Sequence, residues 1–224
     1  TSATSVVATF TKLTYTVSAT AGTGGTITPA SATVAYGDST TFTVTPATGY
    51  RIVSVTENGV TLTGSGSTYT VSNVTSATSV VATFTKLTYT VTATAGTGGS
   101  ITPASTTVAH GDSTTFTVTP ATGYEIVSVM ANGVALAGSG STYTLSNITA
   151  DTSVAATFAK RTFSVSASVD GIGGAVAASS TTVVYGGSST VTITPATGYH
   201  VARVVVDGLL QSTTGTTWTF DSVT

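Results

Sequence analysis

A chain of 224 residues with six basic and eight acidic side chains, a net charge of −2 and no cysteine excludes several functions at once. Six scattered basic groups cannot form a stripe that tracks phosphates, so nucleic acid is not a partner. No apolar run approaches the ~20 residues that a membrane-spanning helix needs, so membrane insertion is not expected.

What remains is a chain in which only 6% of residues are charged and 56 are threonine. Thr and Val are β-branched: they lose rotamer freedom in a helix and pack well on a pleated surface. No window carries apolar residues at i, i+3, i+4 and i+7, which makes the expected fold all-β. Disordered chains combine low hydrophobicity with high net charge, and this chain has neither, so it is expected to fold. Without cysteine, disulfides say nothing about its compartment. A hydroxyl-rich surface with few Lys and Arg offers trypsin-like proteases few targets, which suits a long-lived extracellular or cell-surface protein. No initiator Met or signal peptide is present, and a cut from a longer array is expected.

The first seventeen residues, TSATSVVATFTKLTYTV, return letter for letter at Thr75–Val91, and a looser copy follows at Thr149–Val165. The period is 74 residues, which divides the chain into an orphan strand at 1–12 and repeats at 13–86, 87–160 and 161–224. The first two repeats differ at fifteen positions. The third carries a one-residue insertion in Val169–Gly174 and stops where its closing strand should start.

In chain order, Leu13–Ala19 alternates apolar and hydroxylated residues, the pattern of a half-buried strand. The glycines of Ala21–Gly25 supply a tight turn, a short strand covers Thr26–Thr28, and Val34–Asp38 reads as a strand and turn. Thr40–Thr45 places Phe42 and Val44 on one face. Pro46–Tyr50 is a turn that recurs at Pro120–Tyr124 and Pro195–Tyr199. Arg51–Thr56 leads into Asn58-Gly59, a strong hairpin signal, and Val60–Thr63 returns. Gly64–Ser67 reads as a flexible loop, Thr68–Val71 as a strand, and Ser79–Thr85 as the closing strand, with Val80, Ala82 and Phe84 inward. About seven short strands per repeat predict a small sandwich-like or β-grasp-like domain of about 74 residues. From Ser79 to Ala95 nearly continuous extended chain, about 55 Å at ~3.3 Å per residue, joins neighbours without a Gly/Ser linker. Semi-rigid beads forming an elongated rod are expected.

The motifs Tyr89-Thr-Val-Thr-Ala, Gly98-Gly-Ser-Ile-Thr-Pro, Gly111–Tyr124, Asn132-Gly133, Tyr143–Thr149 and Val154-Ala-Ala-Thr-Phe158 resemble the divergent internalin-B-type B repeat. That family is found in tandem in secreted and surface-attached bacterial proteins. The resemblance covers all three repeats. It implies a spacer or adhesive stalk module with a compact β-grasp-like or sandwich-like fold, and it carries no catalytic residues.

The residues themselves point the same way. His110 sits near Asp112, but Tyr36 and Tyr185 occupy its place in the other repeats, so it reads as a scaffold position rather than part of a triad. His200 aligns with Arg51 and Glu125, an exposed polar position. The acids lack the spacing of a calcium loop; Asp170 reads as a turn residue. No catalytic residue, metal ligand or cofactor is expected, and the chain is not read as an enzyme. Asn73-Val-Thr75 and Asn147-Ile-Thr149 match the glycosylation pattern, beside the simpler reading of Asn bonding within a turn. Lys12, Lys86 and Lys160 recur at each junction, but no repeated acid is evident that would catalyse a Lys–Asn crosslink. The recurrent aromatics Tyr15, Phe42, Tyr50, Tyr69 and Phe84 read as core rather than sugar platforms.

The expected function is therefore structural, in an extracellular fibre or surface stalk. The third repeat should expose an unpaired groove, and Ser2–Phe10 of another copy should fill it with Val6, Ala8 and Phe10 inward. Exposed strand edges template pairing, and such a head-to-tail contact generates an open filament. Covalent continuity in a longer array would serve the same role, through adjacent repeats of one chain. The alternative is an adhesin or glycan-binding spacer with glycans or a host surface as partner.

Overall fold

The computed structural model describes residues 3–211 and 215–224, and every regular element among them is a β-strand. The first repeat holds nine: β1 (Thr14–Ala21), β2 (Gly25–Thr28), β3 (Ser31–Ala35), β4 (Thr40–Pro46), β5 (Tyr50–Glu57), β6 (Val60–Thr61), β7 (Gly64–Ser65), β8 (Thr68–Val71) and β9 (Thr78–Lys86). They form two sheets, ordered β3-β1-β9-β5-β6 and β2-β4-β8-β7. The segment expected as a flexible loop at Gly64–Ser67 starts with the two-residue strand β7, which pairs with β8.

Strand alternation puts one apolar row of each sheet into the interior. Val17 and Ala19 of β1, Val34 of β3, Val55 of β5, and Val80 and Ala82 of β9 meet Ile27, Phe42, Val44 and Val71 from the smaller sheet. All are buried, and Phe42, Val44, Val17, Val71 and Val80 completely so. Each such side chain contributes roughly 1.5–3 kcal/mol when fully buried. Two packed sheets without a helix make the domain a β-sandwich of about 74 residues rather than a β-grasp, which requires a helix.

Two irregularities matter for the interior. β5 skips a residue between Ile52 and Ser54 in its register with β9, and the unpaired Val53 is 58% exposed. That bulge lets Ile52 and Val55, three apart, both pack on the core, where strict alternation would send one outward. The hairpin between β5 and β6 turns through Asn58 and Gly59, both at positive φ, and the Asn58 carboxamide oxygen accepts from the Ser79 N–H at 2.9 Å. The turn is thereby pinned to the start of β9.

The strand expected to close each repeat is in fact the centre of the larger sheet. β9 runs parallel to β1, with Val17 opposite Thr78 and Ala21 opposite Ala82, and antiparallel to β5, with Tyr50 opposite Lys86. Its own alternation buries Thr78, Val80 and Ala82 and half-buries Phe84. A strand added last in sequence therefore holds both halves of the sheet together.

The second repeat reproduces this plan: its sheets have the same orders, and Thr152–Lys160 takes the central place of β9, parallel to Thr88–Ala95 and antiparallel to Tyr124–Ala131. The contacts group the chain into two compact units. One is Thr1–Thr90 with Thr107–Ser113 and Ser146–Asp151; the other is Val91–Thr106, Thr114–Leu145 and Thr152–Thr224. The first thus contains the whole first repeat with 87–90, 107–113 and 146–151 of the second, and the other contains most of the second repeat with all of the third.

Candidate assembly groove in the third repeat

Among the described residues, the third repeat keeps three strands of the smaller sheet. Gly174–Ala178, Ser189–Pro195 and Thr217–Phe220 pair in the register of β2, β4 and β8. The larger sheet is split. Among the described residues, Thr162–Ser164 pairs only with Thr182–Val184, and Val204–Val206 only with Leu209–Gln211. The stretches that would flank a central strand, 165–169 and 199–203, carry no strand, while their counterparts Val17–Ala21 and Tyr50–Ser54 are strand in the first repeat. Ladder structure is missing where the ladder partner is missing, as expected if backbone N–H and C=O groups hold an extended shape only when paired.

Between the two halves lies a cavity of about 750 Å³, lined by Val176, Val191, Ile193, Val204, Trp218 and Phe220 among others. Core positions that are buried in the first repeat open here. Val17, Val55 and Val71 are at most 1% exposed, whereas Val165, Val204 and Phe220 are only half-buried and Ala167 is exposed. Arg203 reaches Asp170 at 3.6 Å across the rim, both side chains largely exposed. Asp170, expected as a plain turn residue, is one half of this ion pair.

Glycines record the shape of the absent side chain. A Cβ at Gly25 would collide with the ring of Phe84 at 2.3 Å, and one at Gly99 with the ring of Phe158, also at 2.3 Å. In each complete repeat a phenylalanine from the central strand lies flat on this glycine. At Gly174, the equivalent position, the nearest atoms are the Thr194 carbonyl and Pro195, with no ring.

The sequence of β9 occurs a second time near the start of the first repeat. Thr4–Lys12 reads TSVVATFTK, identical to β9, yet residues 3–13 form no strand. Val6, Val7 and Phe10 are 90%, 85% and 91% exposed, and Ala8 is exposed with them. Ser2, which begins the expected donor segment, lies outside the described residues.

The other sequence candidates are placed as follows. His110 packs against Tyr89, ring centroids 5.8 Å apart, and its Nδ1 lies 3.3 Å from the Tyr89 hydroxyl. His200 is exposed. Among the described residues no three His, Cys, Asp or Glu side chains gather as a metal site, and no helix is long and apolar enough to cross a membrane. Asn73 and Asn147 are exposed at turn positions with φ of 53° each.

Sequence reasoning missed the partners of the junction lysines. Lys12 pairs with Asp38 at 2.6 Å and Lys86 with Asp112 at 2.9 Å, all four side chains 40–56% exposed. A repeated acid therefore does exist, contrary to the sequence expectation, and its signal was the shared 26-residue separation. The third repeat has Gly187 in the acid's place. The hydrogen bond that the Lys86 ammonium donates to the Asp112 carboxylate raises its pKa above the ordinary lysine range.

The fold and groove together define a tandem β-repeat protein whose domains are linked strand to strand. Three successive matches to the model of the divergent InlB B-repeat domain span residues 15–88, 89–162 and 165–222. The chain belongs to that family, a repeat family of bacterial surface proteins. No curated protein matches it.

Proposed function

We propose that this chain is a non-enzymatic structural repeat protein of an extracellular fibre or cell-surface stalk, whose copies join head to tail. The N-terminal strand of one copy, expected at residues 2–10 and set at Thr4–Lys12 by its identity with β9, enters the third repeat of the next and becomes its central strand. Transferring the β9 register places Thr4–Ala8 beside 165–169 in parallel, and Val6–Lys12 beside 199–206 in antiparallel. Val6 and Ala8 then face the groove, and Phe10 reaches Gly174.

The observation that carries this reading is the pairing of Gly174, which lacks the phenylalanine ring found nearest its counterparts Gly25 and Gly99, with a matching segment whose Phe10 is 91% exposed. Filling the groove pairs two unsatisfied strand edges and buries one aromatic and several aliphatic side chains. Strand addition of this kind is an established recognition mode, and because donor and acceptor surfaces differ, the contact propagates.

Sedimentation velocity and electron microscopy of the chain with and without residues 3–11 test the proposal. The intact chain is expected to form concentration-dependent linear oligomers and the truncated chain only monomers. Oligomers that persist unchanged after truncation would overturn it.

A further inference from the structure

Filling the groove is half of a joint between repeats; the other half is a flat contact between a ring and a glycine. At the first junction a Cβ on Gly49 would lie 2.1 Å from the imidazole of His110, and at the second a Cβ on Gly123 would lie 2.1 Å from the ring of Tyr185. Both glycines stand in the recurring Ala-Thr-Gly-Tyr turn with positive φ, 78° and 79°. The ring belongs to the following repeat in each case.

The residue after each central strand is clamped between the two. Leu87 donates its N–H to the Gly49 carbonyl at 2.8 Å and accepts from the His110 N–H at 2.8 Å. Arg161 does the same between Gly123 at 2.9 Å and Tyr185 at 2.8 Å. The seam is thus a backbone relay covered by an aromatic ring, and it tolerates Leu or Arg as linker and His or Tyr as ring.

Each half of this seam is present, unoccupied, elsewhere on the chain. Gly198 is the third copy of the glycine. It is exposed, with φ of 85° and nothing within 4 Å of where a Cβ would sit, and its carbonyl accepts no hydrogen bond among the described residues. Tyr36 is the first copy of the ring, and it is 50% exposed. It is already posed for contact: its N–H bonds the Leu13 carbonyl at 2.8 Å, and it lies against Tyr15 at a 50° tilt, the same tilt as Tyr89 on His110. Preorganisation of this kind lowers the ordering cost of association.

We propose that Tyr36 of one copy seats on Gly198 of another, with the Leu13 N–H donating to the Gly198 carbonyl, as a contact that fixes register and orientation at the joint. It rests on the strand-donation reading, because Leu13 follows directly on the donated strand. The partner is a second copy of this chain, selected by a bare glycine surface.

The test is a double-mutant cycle on assembly of the full chain, read by sedimentation. Gly198→Ala is expected to weaken association at least tenfold, since its methyl would occupy the ring's place. Tyr36→Ala is expected to weaken it by roughly tenfold, the scale of one well-packed anchor. The double variant should be no weaker than Gly198→Ala alone, because the clash needs the ring; simple strain at positive φ would instead add to the Tyr36 loss. Assembly that still requires residues 3–11 but ignores both substitutions, or responds to them additively, would overturn the seam and leave strand donation standing. Absence of assembly that depends on residues 3–11 would overturn both.

Discussion

The first and third repeats share a plan and a smaller sheet with the same register, and they differ in one strand. In the first, β9 is present and Val17, Val55 and Val71 are sealed. In the third, no strand among the described residues fills that place, the larger sheet parts into two antiparallel pairs, and the equivalents Val165, Val204 and Phe220 meet solvent. The contrast shows where the stability of this sandwich is concentrated. An edge strand could be lost with only local effect, whereas a central strand supplies ladder partners to both neighbours and the floor of the core. On the proposed strand donation, this split sheet is the surface that takes up the donated strand.

The comparison is sharpened most by closing the third repeat in cis. Appending the sequence of residues 76–86 after Thr224, the counterpart of Thr75, should convert the split sheet to the first repeat's arrangement. Amide exchange in 165–169 and 199–206 is expected to slow by several orders of magnitude, and head-to-tail assembly to stop. Unchanged exchange would show that the two repeats differ for another reason.

Core truncations should separate the repeats next. Val55→Ala is expected to destabilise the first repeat by ~2 kcal/mol through lost burial and a residual cavity. Val204→Ala, at the equivalent but half-open position, should cost less than half as much in the unassembled chain. Because the chain is a repeat array, each effect should be read from local amide exchange rather than a single melting temperature. Equal losses at the two sites would break the contrast.

The smallest effect concerns the exposed ion pair between Lys86 and Asp112. The raised lysine value means its contribution is fully present below the ordinary lysine range and is lost as pH climbs through the raised value. Lys86→Ala should therefore change the melting curve slightly at neutral pH, and not at all in high salt. A salt-independent loss would contradict this.

Much of the fold was legible in the sequence because alternation and turn chemistry act locally. Val80, Ala82, Phe42 and Val44 face inward as period two requires, and Asn58-Gly59 forms the expected hairpin. Pairing partners were not legible. Nothing local states that β9 runs parallel to β1, so a strand last in sequence was read as closing rather than central. The bulge at Val53 was hidden for the same reason, since it is a relation between two strands. Of the groove, the exposure of Val6, Ala8 and Phe10 was readable from their repeat. The lack of a ring at Gly174 and the rings over Gly49 and Gly123 were not, because each glycine served equally well as a turn residue until the facing side chain was placed.

The most direct measurement uses the chain lacking residues 1–11, which cannot donate a strand, mixed with a peptide of residues 4–12. Amide exchange with mass spectrometry reports protection in 165–169 and 199–206 against that in Val17–Ala21 and Tyr50–Glu57. Without peptide, the third repeat should exchange far faster than the first; with it, protection should rise toward the first repeat's level, and a peptide carrying Phe10→Ala should fail to produce this at the same concentration. Protection equal in the two repeats before the peptide is added, or unchanged after it, would contradict the reading of the third repeat as an acceptor.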